Sequence, residues 1–159
     1  MKQLVALFAA VLLSGCVVPA ANQTLQTPQN TQAVEQAYAL CKSVADATPV
    51  AIKLSEYLVL GKSKNTNYLE KIAHKSYATG EQIADIQSYQ ADLNLCRAKA
   101  VDDLQAVDRD YAMLASAYFT EDDKITADVI NKKITIGEAN CRVTKSEYAF
   151  SLKAYNMKK

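Results

Sequence analysis

Residues 83–118 read IADIQSYQADLNLCRAKAVDDLQAVDRDYAMLASAY. Their apolar positions Ile83, Ile86, Tyr89, Leu93, Cys96, Ala100, Leu104, Val107, Tyr111, Leu114 and Tyr118 recur at steps of three and four. That spacing keeps them on one face of a helix. Neither glycine nor proline interrupts the run, and no period-two alternation competes with it. At 1.5 Å per residue, a helix over 81–118 would extend roughly 55 Å.

The flanking punctuation predicts the other elements. A first helix starts near residue 31 and presents Val34, Tyr38, Cys41 and Val44 at steps of four, three and three. Thr48-Pro49 reads as an N-cap followed by proline at the first helical position. A short helix then runs over 49–60 and ends at Gly61. After a polar loop, Thr66 or Asn67 caps a long helix over 68–118, which Gly80 interrupts if Thr79 acts as a new cap. A last helix over 122–157 carries the stripe Ile130, Ile134, Gly137, Cys141, Tyr148, Leu152 and Tyr155. Glu121, Asp122 and Asp123 stand at its start, and Lys158 and Lys159 follow its end, as the helix macrodipole favours. The expected fold is all-α: an elongated antiparallel helical bundle over residues 31–159.

Upstream, residues 17–30 read VVPAANQTLQTPQN, with no charge and two prolines. Such a stretch cannot bury a core and is expected to be a disordered linker. Before it, Met1-Lys2-Gln3 supplies a positive end and LVALFAAVLL fills positions 4–13. Ten apolar residues are too few to span a bilayer and match the apolar core of an export signal. The run ends in Leu13-Ser14-Gly15-Cys16. This resembles the lipobox of bacterial lipoproteins. The resemblance implies that residues 1–15 are removed and that Cys16 is acylated and becomes the mature N-terminus. Val17 stands where Asp would retain an enterobacterial lipoprotein in the inner membrane, so the resemblance implies outer-membrane delivery.

Three cysteines remain after Cys16, in a compartment that permits disulfides. With a turn near residue 120, Cys96 and Cys141 stand at nearly one height, so the spacing favours a Cys96–Cys141 bridge. A kink at Pro49 or Gly80 would shift the register and allow Cys41–Cys96 instead; three buried thiols are the remaining alternative. No metal is expected, because the cysteines are dispersed, His74 is the single histidine, and no CxxC or HExxH occurs.

Nothing in the chain predicts catalysis or a cofactor. There is no nucleophile elbow, phosphate loop or dinucleotide fingerprint, and glycine occurs only four times. The chain carries a formal charge of +1, but the charge is unevenly placed. Positions 102–128 hold eight acids and two bases. Lys62, Lys64, Lys71 and Lys75 cluster elsewhere, and the hairpin reading gathers them at one end with Lys153, Lys158 and Lys159. They form a candidate contact for a negatively charged envelope partner. Nucleic acid is not expected, since the exported compartment lacks it.

Two further resemblances concern function. Residues 91–111, ADLNLCRAKAVDDLQAVDRDY, are similar over a short span to helical lysozyme-inhibitor-type lipoproteins. The ending Tyr155-Asn156-Met157-Lys158-Lys159 is similar in form to Braun-type lipoproteins, which implies Lys159 as a peptidoglycan attachment point. The reading is therefore a non-catalytic, membrane-anchored module for an envelope protein, acting as an assembly accessory or an inhibitor. The alternative is a structural tether between outer membrane and peptidoglycan.

Overall fold

A computed structural model describes residues 27–60 and 67–157. The expected leader, Cys16 as the expected acylation site, Gly61, Lys62, Lys64, Lys158 and Lys159 lie outside the described residues. Six helices are described: α1 (Thr27–Asp46), α2 (Pro49–Leu54), α3 (Tyr68–Ile72), α4 (Gly80–Val107), α5 (Arg109–Ile130) and α6 (Ile136–Met157). There is no strand among the described residues. The chain is an all-α helical bundle.

The caps expected at Thr48 and Thr79 both form. Thr48 Oγ1 accepts the Ala51 N–H at 3.2 Å, with Pro49 opening α2. Thr79 and Gln82 make a reciprocal capping box: Gln82 N–H donates to Thr79 Oγ1 at 3.2 Å, and Thr79 N–H to Gln82 Oε1 at 2.9 Å. Helix α1 begins at Thr27, so the last four residues of the expected linker are helical. Helix α2 stops at Leu54 rather than residue 60, and α3 is a single short segment rather than the start of the long helix.

The long helix is broken twice. Thr79 separates α3 from α4, as Gly80 suggested. A second break falls at Asp108, whose backbone (φ −157°, ψ 89°) is extended. Its N–H still donates to Leu104 O at 2.7 Å, while its carboxylate accepts the Tyr111 N–H at 3.0 Å. One aspartate thus closes α4 and caps α5. The chain reverses there, not near residue 120: Arg97 meets Asp122 and Gln90 meets Asp123 across the hairpin. The expected last helix is likewise broken, at residues 131–135. Lys133 N–H donates to Asp128 O at 2.8 Å and Lys132 N–H to Val129 O at 3.0 Å. This is a Schellman ending, with Lys132 at φ 54° in the left-handed position usually given to glycine. Glu121, Asp122 and Asp123 therefore lie within α5 and do not begin a helix.

Four long helices build the bundle. α1 runs antiparallel to α4 (Cys41 beside Cys96, Asp46 beside Tyr89), α4 to α5, and α5 to α6 (Tyr118 beside Phe150, Arg142 beside Asp128). The N-terminus of α1, the α4–α5 turn and the C-terminus of α6 consequently share one end, as the 2.5 Å Tyr111–Glu35 hydrogen bond shows.

Two apolar clusters fill the interior. The first gathers Ala45, Ala51, Leu54, Ile86, Leu93, Ile125, Val129, Ile134 and Ile136; Leu54 and Ile136 have no exposed surface. Asn140, 2 % exposed, pins the irregular segments around it. Its amide nitrogen donates to Tyr57 O (2.8 Å) and Lys71 O (3.0 Å), and its oxygen accepts the Val59 N–H (2.9 Å). Gly137 lets α6 approach the chain after α3. A Cβ there would stand 2.4 Å from Ile72 O and 2.6 Å from His74 O. The second cluster, at the other end, holds Leu104, Tyr111, Ala112, Ala115, Phe119 and Ala154, with Tyr38, Tyr118 and Phe150 packed on it.

Candidate functional site

Between the two clusters lies a layer of buried charge. Arg97, 6 % exposed, sits one position beyond Cys96 on the inner face of α4. Its guanidinium pairs with Asp122, reaches Asp123 at 2.9 Å and Asn94 at 3.4 Å, and lies 5.1 Å from the centre of the Phe119 ring. Arg97 Nε is buried without a hydrogen-bond partner. Burial pushes the Asp122 carboxyl up, against the attraction of Arg97. Burial also raises Tyr38, opposed by Arg97, and Tyr118, helped by Asp122 and Glu147.

This layer forms one wall of a cleft of about 110 Å³ between α1 and α6. Leu54, Leu58, Ile86 and Ile125 give it an apolar floor, and Tyr38, Lys42, Tyr118 and Glu147 give it a polar border. On α1, Lys42 pairs with Asp46 at 2.6 Å, and Asp46 accepts the Tyr89 hydroxyl at 2.6 Å. The volume sets a limit. Pockets for drug-sized ligands enclose about 300–1,000 Å³, so this cleft fits one side chain or a very small molecule.

The disulfide joins Cys41 to Cys96, with Cα atoms 5.7 Å apart and a sequence separation of 55. The favoured Cys96–Cys141 pairing is therefore corrected. It assumed a turn near residue 120. With the reversal at Asp108, Cys96 lies level with α5 near residue 120 and faces α1, while Cys141 remains a half-buried free thiol on α6.

Of the expected basic end, only Lys71, Lys75 and Lys153 are described, and these three do not share one patch. Lys71 is buried at 5 % exposure beside Asn140, so it offers no surface charge; Lys75 is exposed beyond α3. Lys153 stands near the far end of α6, level with Tyr111 rather than with α3. His74 Nδ1 lies 3.0 Å from Ser76 Oγ, and no carboxylate orients its other ring nitrogen among the described residues. A serine nucleophile in a triad requires that third group. Among the described residues, no group of three or more His, Cys, Asp or Glu side chains is placed to hold a metal ion. No described helix is long and apolar enough to cross a membrane.

Arg97, Asp122 and Asn140 were not singled out from sequence as site residues. The signal for Arg97 was its position four residues after Leu93, where an arginine must point inward. No protein-family model, no curated protein and no solved structure matches the chain.

Proposed function

We propose that the chain is a lipid-anchored helical module on the periplasmic side of a bacterial outer membrane, where it binds an envelope protein without catalysing a reaction. The Leu13-Ser14-Gly15-Cys16 motif supports the anchor. The observation that carries the location is the Cys41–Cys96 bridge between two long helices, because such bonds persist in oxidising compartments and are rare in reducing ones. The size of the interior cleft supports binding over turnover. It accepts a side chain of a partner between Tyr38 of α1 and Tyr118 of α5, over an apolar floor.

Intact mass spectrometry of the protein extracted from its host membranes tests the location. The expected product lacks residues 1–15, carries acyl groups on residue 16 and is two hydrogens lighter for one disulfide. An intact leader and three reduced thiols would overturn it. For binding, a photo-crosslinking residue at Tyr118 should capture one envelope protein in stoichiometric yield, and the same residue at exposed Leu69 should not. Equal, diffuse labelling from both positions would count against the cleft. A membrane partner would mark an assembly accessory, and a soluble hydrolase an inhibitor.

A further inference from the structure

The sequence stripe Tyr148, Leu152 and Tyr155 was expected in the core, yet these side chains are 67 %, 47 % and 60 % exposed. The same face of α6 is covered at its beginning, where Gly137 is buried against residues 72–74. Beyond Cys141 this face is largely exposed at Tyr148, Leu152 and Tyr155. Beside it, a surface groove of about 420 Å³ runs between α5 and α6. Leu114, Phe150 and Tyr118 form its floor, and Lys145 and Lys153 stand on its border; Glu121 is its acid, and it pairs with Lys124 at 3.6 Å. Two aromatic rings and a leucine thus occupy one side of about three helical turns, with Lys145 at its edge and Lys153 further round, on the groove side.

We propose that this side of α6 lies flat on the surface of a phospholipid bilayer containing anionic lipids, with Tyr148, Leu152 and Tyr155 in the interfacial layer and Lys145 and Lys153 at the phosphates. Tyrosine is enriched at that depth, and lysine can hold its stem in the interface with its ammonium in water. This rests on the anchor proposed above, which makes it geometrically natural. Only residues 17–26 separate Cys16 from α1, a span of at most about 36 Å. Helix α1 begins at the same end of the bundle at which α6 finishes. A tethered protein meets the membrane at high effective concentration, so a small contact suffices.

A second copy fits the face less well. A stable interface takes about 800 Å² from each partner, more than three part-exposed side chains supply, and Lys145 and Lys153 would put positive charge on both sides of it. Of the acids nearest this end, two have partners; Asp102 and Asp110, on the α4–α5 side, are exposed. Asp103 pairs with Lys99 at 2.8 Å, and Asp108 is committed to capping α5.

The chain has no tryptophan, so a single introduced one reports on its own position. Full-length protein carrying Leu152→Trp, and separately Leu69→Trp on α3, is mixed with excess vesicles of phosphatidylethanolamine and phosphatidylglycerol (3:1) containing brominated acyl chains. The expected result is a blue shift and at least twofold quenching for L152W, with L69W unchanged, and loss of the effect when Lys145 and Lys153 are replaced by Gln. An unquenched L152W on vesicle-bound protein overturns the proposal. So does a blue shift that occurs without lipid and scales with protein concentration, which would indicate a second copy, or one that is independent of both, which would indicate the chain's own N-terminal segment. The emission is read on acylated and non-acylated chain alike. Missing acyl mass therefore removes the anchor, while quenching alone decides the α6 face.

Discussion

The two ends of the bundle are held by different chemistry. Around Leu54 and Ile136 the interior is aliphatic and sealed, and the buried amide of Asn140 ties three backbone segments together. Around Tyr111 and Phe119, among the described residues, Leu104 is the only buried aliphatic side chain larger than alanine. Tilted aromatic pairs 4.9–6.1 Å apart, Tyr111 on Glu35 and the Arg97–Asp122 pair do the rest. Aliphatic burial is insensitive to pH and direction, whereas hydroxyl–carboxylate bonds and ion pairs depend on both. The aromatic end is therefore the end whose shape can be altered by conditions; it carries the exposed face of α6 and contributes Tyr38 and Tyr118 to the border of a cleft whose floor belongs to the aliphatic end.

Removing the disulfide tests that asymmetry most severely. Among the described side chains of α1, only Thr31 and Ala45 are buried, so the Cys41–Cys96 bond is a principal attachment. With a sequence separation of 55 between the cysteines, the double variant Cys41→Ser, Cys96→Ser should lose about 4 kcal/mol in the loop-entropy account. Hydrogen exchange should show amides of α1 opening far ahead of those around Ile136. If both sets accelerate equally, the two ends form one cooperative unit and the contrast fails.

Next in size is the aliphatic end itself. Leu54→Ala removes a side chain with no exposed surface and should cost about 3 kcal/mol in urea unfolding. Leu114→Ala, half-buried against the aromatic cluster, should cost about 1 kcal/mol. A reversal of that order would place the main source of stability at the aromatic end.

These differences explain what the sequence let one read. The α4 stripe was legible because Ile86, Tyr89, Leu93, Cys96, Ala100 and Leu104 are all buried along one face, which spans both clusters. The hairpin at Asp108 was not, because Val107 and Tyr111 keep the step of four across the break and leave the periodicity undisturbed. Its one trace was an aspartate at a capping position, which reads equally as a surface acid. The α5–α6 break had no trace, since Lys132 occupies the left-handed position without glycine. On α6 two faces carry the same 4-3 spacing. Tyr148, Leu152 and Tyr155 are exposed, whereas Val143, Glu147, Phe150 and Ala154 turn inward. Periodicity cannot choose between them, and the glutamate hid the true face. The cysteine pairing failed for the same reason, because register depends on where hairpins turn.

Alkaline titration sharpens the comparison further. Burial raises Tyr38, Tyr89, Tyr111 and Tyr118, and pushes Tyr57 up to about 12, from an ordinary value of 10.0. An acid raised in the folded state keeps its proton after the unfolded chain has lost it. Stability is then full below pH 10 and falls as pH rises through the folded values. Unfolding free energy should stay flat to about pH 10 and drop steeply by pH 12, with absorbance at 295 nm showing a late-ionising group of tyrosines. Tyr111→Phe loses the bond to Glu35 and should cost about 1 kcal/mol at pH 8. The gap between variant and parent should narrow above pH 10, because the variant no longer has that proton to lose. A gap that widens would mean that Tyr111 ionises early, and that its hydroxyl is not held as the structure has it.

The smallest effect concerns the turn at the aliphatic end. Lys132 at φ 54° carries the cost of a left-handed residue, about 1–2 kcal/mol. Glycine would remove that cost but would add freedom to the unfolded chain worth roughly 0.5–1 kcal/mol. Lys132→Gly should therefore stabilise the protein by about 0.5 kcal/mol, read as a small rise in the urea midpoint at unchanged slope. Because the exposed Lys132 side chain makes no ion pair among the described residues, Asp128 pairing instead with Lys133 at 3.6 Å, a destabilised variant would show that the α5–α6 turn is not in this conformation. The register of α6 along α5, and with it the exposure of Tyr148 and Leu152, would then have to be redrawn.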